Sequence, residues 1–361
     1  MTCILVCEKE KDRMQIAVLG LNHGFTLAQQ AKKMAGLTLA AVAGNNADAK
    51  ERAKELDVPL YEDYKELIDT CSLDGVIITL PNHLHKEAVE YCADKGLHCL
   101  VEKPIADTTA AAREMIDHCR EKRVQLLVGH HRRYSAKINH LKQLLETKVI
   151  GDLIGVNMVW ALAKDHDYYK EAWRVKAGGG PLLINGIHDL DNLLYVTGLK
   201  IESVYAAGRN KIRSAEVEDA VTAILEAEDG TVIHYFLTDG VPSPWSYEFN
   251  LKENPIYHFY EEDCYHFFGT KGSLAFPSFR CYQYREGAYG WKHPLMETQY
   301  LPVGTVDPIA AELAHFEDVL KGEAVPRVPG EAGLRTLEVL EAINLSIREK
   351  RSVPLREIIS C

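Results

Sequence analysis

Two polar residues stand where a chain can aim a side chain at a bound molecule. Lys103 closes the apolar run Leu97-His98-Cys99-Leu100-Val101-Glu102 and is followed at once by Pro104, so a stiff peptide, free to be cis, holds its ammonium at a strand end. An ammonium fixed there suits a developing alkoxide. His188 comes eight residues after the last of Gly178-Gly179-Gly180, and glycines permit close backbone approach to a ligand. Imidazole is the side chain whose ordinary pKa suits it to take a hydroxyl proton near neutrality. A helix over Pro181 to Asn192 places Ile184, His188, Asp191 and Tyr195 on one face, where Asp191 can orient His188. Taken singly, a lysine is a surface cation and a histidine on an apolar helix is a satisfied core residue. Their neighbours make both candidates for removing a proton from a carbinol and holding the oxygen left behind.

A third feature is the turn Gly20-Leu21-Asn22-His23-Gly24-Phe25, between the apolar run Ala17-Val18-Leu19 and a helical pattern. A glycine turn from strand to helix lets a pyrophosphate approach the backbone and the unpaired N–H groups of the helix start. In the six-residue dinucleotide fingerprint, Asn22 and Phe25 occupy the second and third glycine places. The next strand ends Ala43-Gly44-Asn45-Asn46 with no carboxylate to hold ribose hydroxyls. Lys50 and Arg52 could meet a 2′-phosphate or be a solvated helix face, so NAD and NADP both stay open. Another strand ends Thr79-Leu80-Pro81-Asn82-His83-Leu84-His85, whose H-x-H spacing lacks further ligands, and no metal is expected.

The elements that must position these groups change character along the chain. From Met14 to Gly129 the runs QIAVLG, LTLAAVAG, DGVIITL, LHCLVEKP and VQLLVG alternate with helical patterns, which predicts βαβ units and a doubly wound parallel sheet. After Tyr134 come a helix over Lys137 to Lys148 and long β-branched runs at Leu153 to Trp160, Ala220 to Glu226 and Thr231 to Thr238. These predict an α+β domain with a large, mostly antiparallel open sheet. Two helical patterns, joined by GEAVPRVPGEAG, fill Pro308 to Lys350. The expected organisation is an extension over 1–13, a nucleotide-binding domain over 14–135 and a second domain over 136–361.

Composition narrows the partners. The 361 residues carry 41 Lys+Arg against 52 Asp+Glu, a net charge of −11, which repels nucleic acid and anionic membranes. No apolar run reaches the ~18 to 20 residues that span a bilayer. The first thirteen residues lack the apolar length of a secretory signal. Nine cysteines without a C-x-x-C pair point to reduced thiols and a cytoplasmic location.

The Gly20 turn, PNHLH, Glu102-Lys103-Pro104, Gly129-His130-His131-Arg132-Arg133-Tyr134 and the glycine triplet with His188 together resemble the glucose-fructose oxidoreductase/inositol dehydrogenase (Gfo/Idh/MocA) family, over essentially Met14 to Ile359. The resemblance implies an N-terminal Rossmann domain, a C-terminal sheet serving substrate and oligomer contacts, and NAD(P)-dependent oxidation of a secondary hydroxyl in a sugar, polyol or glycoside. It implies catalytic roles for Lys103 and His188, with Asp191 orienting the imidazole. Cofactor contacts would come from Gly20, Asn22, His23, Gly44, Asn45, Pro81, Asn82, His85, Glu102 and Lys103. Arg132, Asn185, Trp173 and Arg174 would meet substrate, and the chain would form a homo-oligomer. One departure stands out: the family often has Asp four residues before this histidine, where this chain has Ile184, and Asn185 is the nearest polar substitute. Two other readings use the same parts: a glycoside-cleaving lyase or hydrolase cycling a tightly held NAD, and a nicotinamide-binding sensor without turnover. The segments Val241 to Glu248 and Asn254 to Tyr260, dense in aromatic and polar groups, suit either sugar rings or a subunit contact.

Overall fold

The computed structural model describes residues 13–360 apart from 177, 214, 302, 303 and 305, so the expected extension lies, but for Arg13, outside the described residues. The chain forms two compact units, one running to Tyr134 and taking in Val306–Arg335, the other holding Ser135–Thr305 and the chain from Thr336.

In the first unit, β1 (Met14–Leu19), β2 (Leu37–Ala43), β3 (Leu60–Tyr61), β4 (Gly75–Ile78), β5 (His98–Glu102) and β6 (Leu126–Gly129) make one sheet in the order β3-β2-β1-β4-β5-β6. Every pairing is parallel. Helices α1 (Gly24–Lys32), α2 (Ala49–Leu56), α3 (Tyr64–Thr70), α4 (His85–Asp94) and α5 (Thr109–Lys122) supply the crossovers. β4 and β6 are buried at every residue, which is why these strands read as continuous apolar runs rather than alternating ones. The strand order reverses between β1 and β4, and ligands of such sheets bind at that switch point. This is the doubly wound Rossmann architecture.

The second unit begins with α6 (Ala136–Glu146), capped by the Ser135 hydroxyl accepting from Ile138 N, followed by β7 (Leu153–Ala161), α7 (Ile187–Thr197), β8 (Ile201–Arg209), β9 (Ala220–Ala227) and β10 (Val232–Thr238). Then come α8 (Tyr247–Leu251), β11 (Tyr265–Gly269), β12 (Gly272–Phe276), β13 (Arg280–Gln283) and β14 (Met296–Gln299). The chain closes with α9 (Pro308–Leu320), α10 (Gly330–Glu349), β15 (Val353–Pro354) and α11 (Leu355–Ile359). The nine strands lie in the order β14-β13-β12-β11-β7-β10-β9-β8-β15, antiparallel except where β7 runs beside β10. One face carries Val156, Met158, Trp160, Tyr235 and Leu225 into a core shared with Ile138, Leu190 and Ile343 from the helices. Asp189 of α7 accepts hydrogen bonds from Tyr235 Oη at 2.9 Å and Tyr265 Oη at 2.6 Å, which pins that helix to the sheet. On the other face Tyr205, Ile224, Val232 and Phe268 are exposed.

The structure corrects the division expected at residue 136. Residues 306–335 return to the first unit because α9 buries Leu313, Phe316 and Val319 in its core, with Phe316 and Leu320 packed where any side chain on Gly75 would sit. Amphipathic spacing shows that a helix exists; it does not show which core receives its apolar face. Asp307 caps α9 through Ile309 N at 2.9 Å, with Pro308 at its first position. The expected linker also ends earlier, since Gly330 already opens α10.

Candidate functional site

The turn after β1 needs glycine for two reasons. Gly20 has φ +90°, and a Cβ there would lie 2.6 Å from Thr79 O. A side chain on Gly24 would collide with Thr79 Oγ1 and sit 2.9 Å from Val18 Cγ1, so the glycine that lets α1 pack on the sheet comes one residue before the fingerprint place held by Phe25. Gly44 is different, for its Cβ would make an ordinary 3.4 Å contact with Ala49. The Asn22 side chain accepts from Asn46 Nδ2 at 2.7 Å. Arg52 is tied into this turn by donating to Leu21 O at 2.5 Å and Asn22 Oδ1 at 3.4 Å, which corrects the reading of Arg52 as a solvated face. Lys50 and Asn45 are exposed. Helix α1 has neither a side-chain cap nor an acidic residue in its first turn, so its N–H groups and dipole fit a pyrophosphate.

At the tips of β4 and β5 the expected residues divide. Pro81 is exposed and Asn82 opens a 3₁₀ turn over Asn82–Leu84. His85, expected to contact cofactor and line the site, turns inward instead. It is 0% exposed, with Nε2 2.8 Å from Leu80 O and Nδ1 3.0 Å and 3.2 Å from Pro104 O and Ile105 O. Burial lowers its pKa, against those three carbonyls. The ring clamps the β5–α5 connection from inside and presents no nitrogen to a ligand. The Lys103-Pro104 peptide is cis, and the Lys103 side chain is half-buried. Its backbone N–H donates to Glu102 Oε2 at 3.1 Å. Glu102 Oε1 lies 3.3 Å from His23 Nε2. Burial pushes the Glu102 carboxyl up, but the hydrogen bond and charge of His23, then the charge of Lys103, hold it down at about 2. His23 is raised by the same hydrogen bond to Glu102. Arg132 is buried in a 3₁₀ turn over His131–Tyr134, and burial, then the Arg132 charge, pushes His131 down to about 3.

A pH dependence follows. A raised His23 is cationic below its folded pKa and neutral above it, so its help to an anion at the α1 start is present at low pH and lost as pH rises through that value. With 54% of the side chain exposed, screening limits the gain. Dinucleotide affinity, measured by fluorescence titration, should weaken about threefold from mildly acidic to mildly alkaline pH, and His23→Gln should flatten that slope.

In the second unit two of the three glycines serve the chain's own packing, which corrects the expected approach to a ligand at Gly179 and Gly180, while Gly178 has open space around it. Side chains on Gly179 and Gly180 would collide with Trp173 O and with the Glu218 carboxylate, and Glu218 Oε1 accepts from Leu182 N at 2.9 Å. The expected single helix is two elements, a π-turn over Leu182–Gly186 and then α7. His188, Asp191 and Tyr195 keep their common face on α7, while Ile184 lies in the wider turn, a feature that recurs at functional sites. His188 is 8% exposed and Asp191 1%. The Asp191 carboxylate accepts from Thr336 Oγ1 at 3.1 Å. Arg174 lies 3.9 Å from the centroid of Tyr168 and 5.3 Å from that of Trp173, which is itself exposed. Among the aromatic segments, Trp245, Tyr257, Phe259 and Tyr260 are exposed, and the rings of Tyr257 and Tyr260 lie against Phe249.

Asn185 is held by a residue the sequence reading passed over, Lys164, whose Nζ donates to Asn185 Oδ1 at 2.7 Å. Arg213 and Asp239 belong to the same cluster, 2.6 Å apart. One signal was available: Lys164 follows the end of a long apolar strand, the criterion that singled out Lys103. Arg213 and Asp239 carried no comparable mark, because only the pairing of distant segments brings them together.

Two family models match the chain: an oxidoreductase family with an NAD-binding Rossmann fold over residues 14–130, and the GFO/IDH/MocA C-terminal domain over residues 138–275. A myo-inositol 2-dehydrogenase of Thermotoga maritima is 26% identical, over 96% of this chain and 100% of its own. A 1,5-anhydro-D-fructose reductase of Ensifer adhaerens is 27% identical over 76% of this chain and 77% of its own. The solved structure of an oxidoreductase from Agrobacterium radiobacter in complex with NAD+, L-tartaric acid and magnesium is 18% identical and shares the fold with a TM-score of 0.79, over 96% of this chain and 99% of that one. No helix among the described residues is long and apolar enough to cross a membrane.

Proposed function

The chain belongs to the Gfo/Idh/MocA family of NAD(P)-dependent oxidoreductases, and from that premise we propose that it oxidises a secondary carbinol of a sugar, polyol or glycoside, and reduces the ketone in reverse, with Lys103 and His188 as its chemical groups. The bound nicotinamide supplies the hydride acceptor. Gly20, Gly24 and the uncapped start of α1 would receive the pyrophosphate, His23 would add a positive charge beside it when protonated, and Asn22 and Asn46 shape the turn. Lys103 stabilises the oxygen as it gains alkoxide character, and His188 takes the hydroxyl proton at an imidazole nitrogen. Asp191, anchored on Thr336, holds the helix face that presents His188. Arg132, Asn185, Trp173 and Arg174 remain the candidates for substrate contact.

The observation that supports this most is the place of Lys103: it follows β5, and its neighbour Glu102 pairs with His23 of the glycine turn, so the residue lies at the carboxyl end of the parallel strands, where open α/β sheets bind ligands. The test is NADH or NADPH formation when the protein meets NAD+ or NADP+ with hexoses, polyols and glycosides in turn. Reduction with at least one hydroxylated substrate supports the reading, and none across all three classes overturns it.

Two of the relatives named above are an inositol dehydrogenase and an anhydrofructose reductase, and a location in the cytoplasm fits thiols that form no disulfide at Cys71, Cys92, Cys99, Cys119, Cys264 and Cys281. The bare sheet face with Tyr205, Ile224, Val232 and Phe268 is the surface on which two copies would meet, since apolar side chains in a contiguous patch are otherwise left to water. Sedimentation equilibrium should return a dimer or tetramer mass; a monomer at micromolar concentration would refute that part.

A further inference from the structure

Lys164 lies just past β7, and its side chain is 12% exposed. An ammonium has three donors. One goes to Asn185 Oδ1 at 2.7 Å. Asp239 Oδ2 is 3.5 Å away, an ion-pair distance too long for a good hydrogen bond. Asp239 is moreover shared, since Arg213 NH1 reaches its other oxygen at 2.6 Å. The ring of Tyr168 lies against two cations, Lys164 at 4.3 Å and Arg174 at 3.9 Å. Of the carboxylates nearby, Glu248 accepts from Trp160 Nε1 at 2.6 Å, and burial pushes Glu218 up toward its neutral form. A nearly buried ammonium therefore keeps donor capacity in surroundings that do not fully neutralise it.

Its position gives that capacity a meaning. Asn185 precedes His188 by three residues across the junction of the π-turn and α7, about one helical turn away. The residue beside it is the apolar Ile184, which offers a ligand no charge or hydrogen bond. One helical turn before its proposed base this chain presents an amide, and that amide holds an ammonium. A carboxylate ligand would complete the ammonium's hydrogen bonds in a charge-assisted pair and offset its desolvation, whereas a neutral hydroxyl offers a weaker acceptor.

We propose that Lys164 and Asn185 bind the carboxylate of an acidic sugar, an aldonate or a uronate, close to the hydroxyl that His188 deprotonates. The inference rests on the dehydrogenase reading and narrows its substrate class. The redox balance is unchanged: the carbinol carbon loses a hydride to the nicotinamide, its hydroxyl loses a proton to His188, and Lys164 neither gains nor loses a bond.

The pH profile offers an independent handle. Burial brings Lys164 down to about 8, opposed by Asp239 and Glu248 and assisted by Arg213. Its charge is present below that pH and lost above it, so the grip on an anion should fade as pH rises through about 8.

The test compares D-gluconate and D-glucuronate with neutral D-glucitol and D-glucose, using the full chain with NAD+ and with NADP+. Values of kcat/KM from reduced cofactor are paired with calorimetric titration of each acid into cofactor-loaded protein. An acid should be preferred at least about tenfold at neutral pH, with the advantage declining above pH ~8. Lys164→Met should cut acid binding about a hundredfold and abolish that pH dependence, while Lys164→Arg should keep the binding and move its alkaline limb upward. If the Met variant fails to fold, as judged by its melting temperature, the Arg variant and the wild-type profile decide. Neutral sugars turned over as well as the acids, or acid binding unchanged in Lys164→Met, would overturn the inference and leave the dehydrogenase reading standing. Acid bound through Lys164, with no cofactor reduction by these sugars or by any hexose, polyol or glycoside, would leave a carboxylate-binding site at Lys164 and overturn the dehydrogenase reading, and with it the acid's role as substrate.

Discussion

Lys103→Met is expected to lower kcat roughly a thousandfold while changing dinucleotide affinity no more than about threefold. Methionine keeps the unbranched shape and most of the volume of lysine, so the loss isolates the ammonium. The glycine turn, the uncapped start of α1 and the His23–Glu102 pair are other residues, and they keep their ability to hold a pyrophosphate. Steady-state kinetics beside a cofactor titration separates the two effects. A kcat within tenfold of the native value would remove Lys103 from the chemistry. A loss confined to cofactor affinity would make it a binding residue only.

His188→Asn should cost between about a hundredfold and ten-thousandfold in kcat, the range over which a positioned general base contributes. The fold should survive. α7 is pinned by Asp189 to Tyr235 and Tyr265, joined to α6 by Tyr195 donating to Asn139 Oδ1 at 2.8 Å, and closed by Gly198 in the left-handed region. None of these contacts uses the imidazole. On the proposed roles the two groups serve one hydroxyl, and groups that do so act as a unit, so the double variant Lys103→Met/His188→Asn should be little worse than the poorer single variant. Additive losses would mean that the two residues serve separate steps.

The sequence made the Rossmann sheet legible because its strands are buried on both faces and connected by amphipathic helices, a pattern that depends only on local composition. β3 left no trace, for two residues are too few to show a period. The return of α9 to the first unit was hidden for another reason: Leu313, Phe316 and Val319 mark an apolar face without naming its partner. At the site, Gly20 and the strand-end place of Lys103 could be read from position alone. Burial against distant backbone could not. His85 looked available because it follows a strand end, yet the carbonyls of Leu80, Pro104 and Ile105 enclose it. The glycine triplet looked like room for a ligand, but Trp173 O and Glu218 fill that room at Gly179 and Gly180. The π-turn was invisible because one extra residue in a helical turn leaves the apolar spacing nearly unchanged, and with it went the link between Asn185 and Lys164.

Transfer of isotope tests the central claim most directly. A substrate carrying deuterium on the carbinol carbon, incubated with the enzyme and oxidised cofactor, should yield one labelled reduced nicotinamide for each ketone formed, as read by mass spectrometry. Substrate consumed with no net reduced cofactor, or reduced cofactor formed without the label, would contradict it.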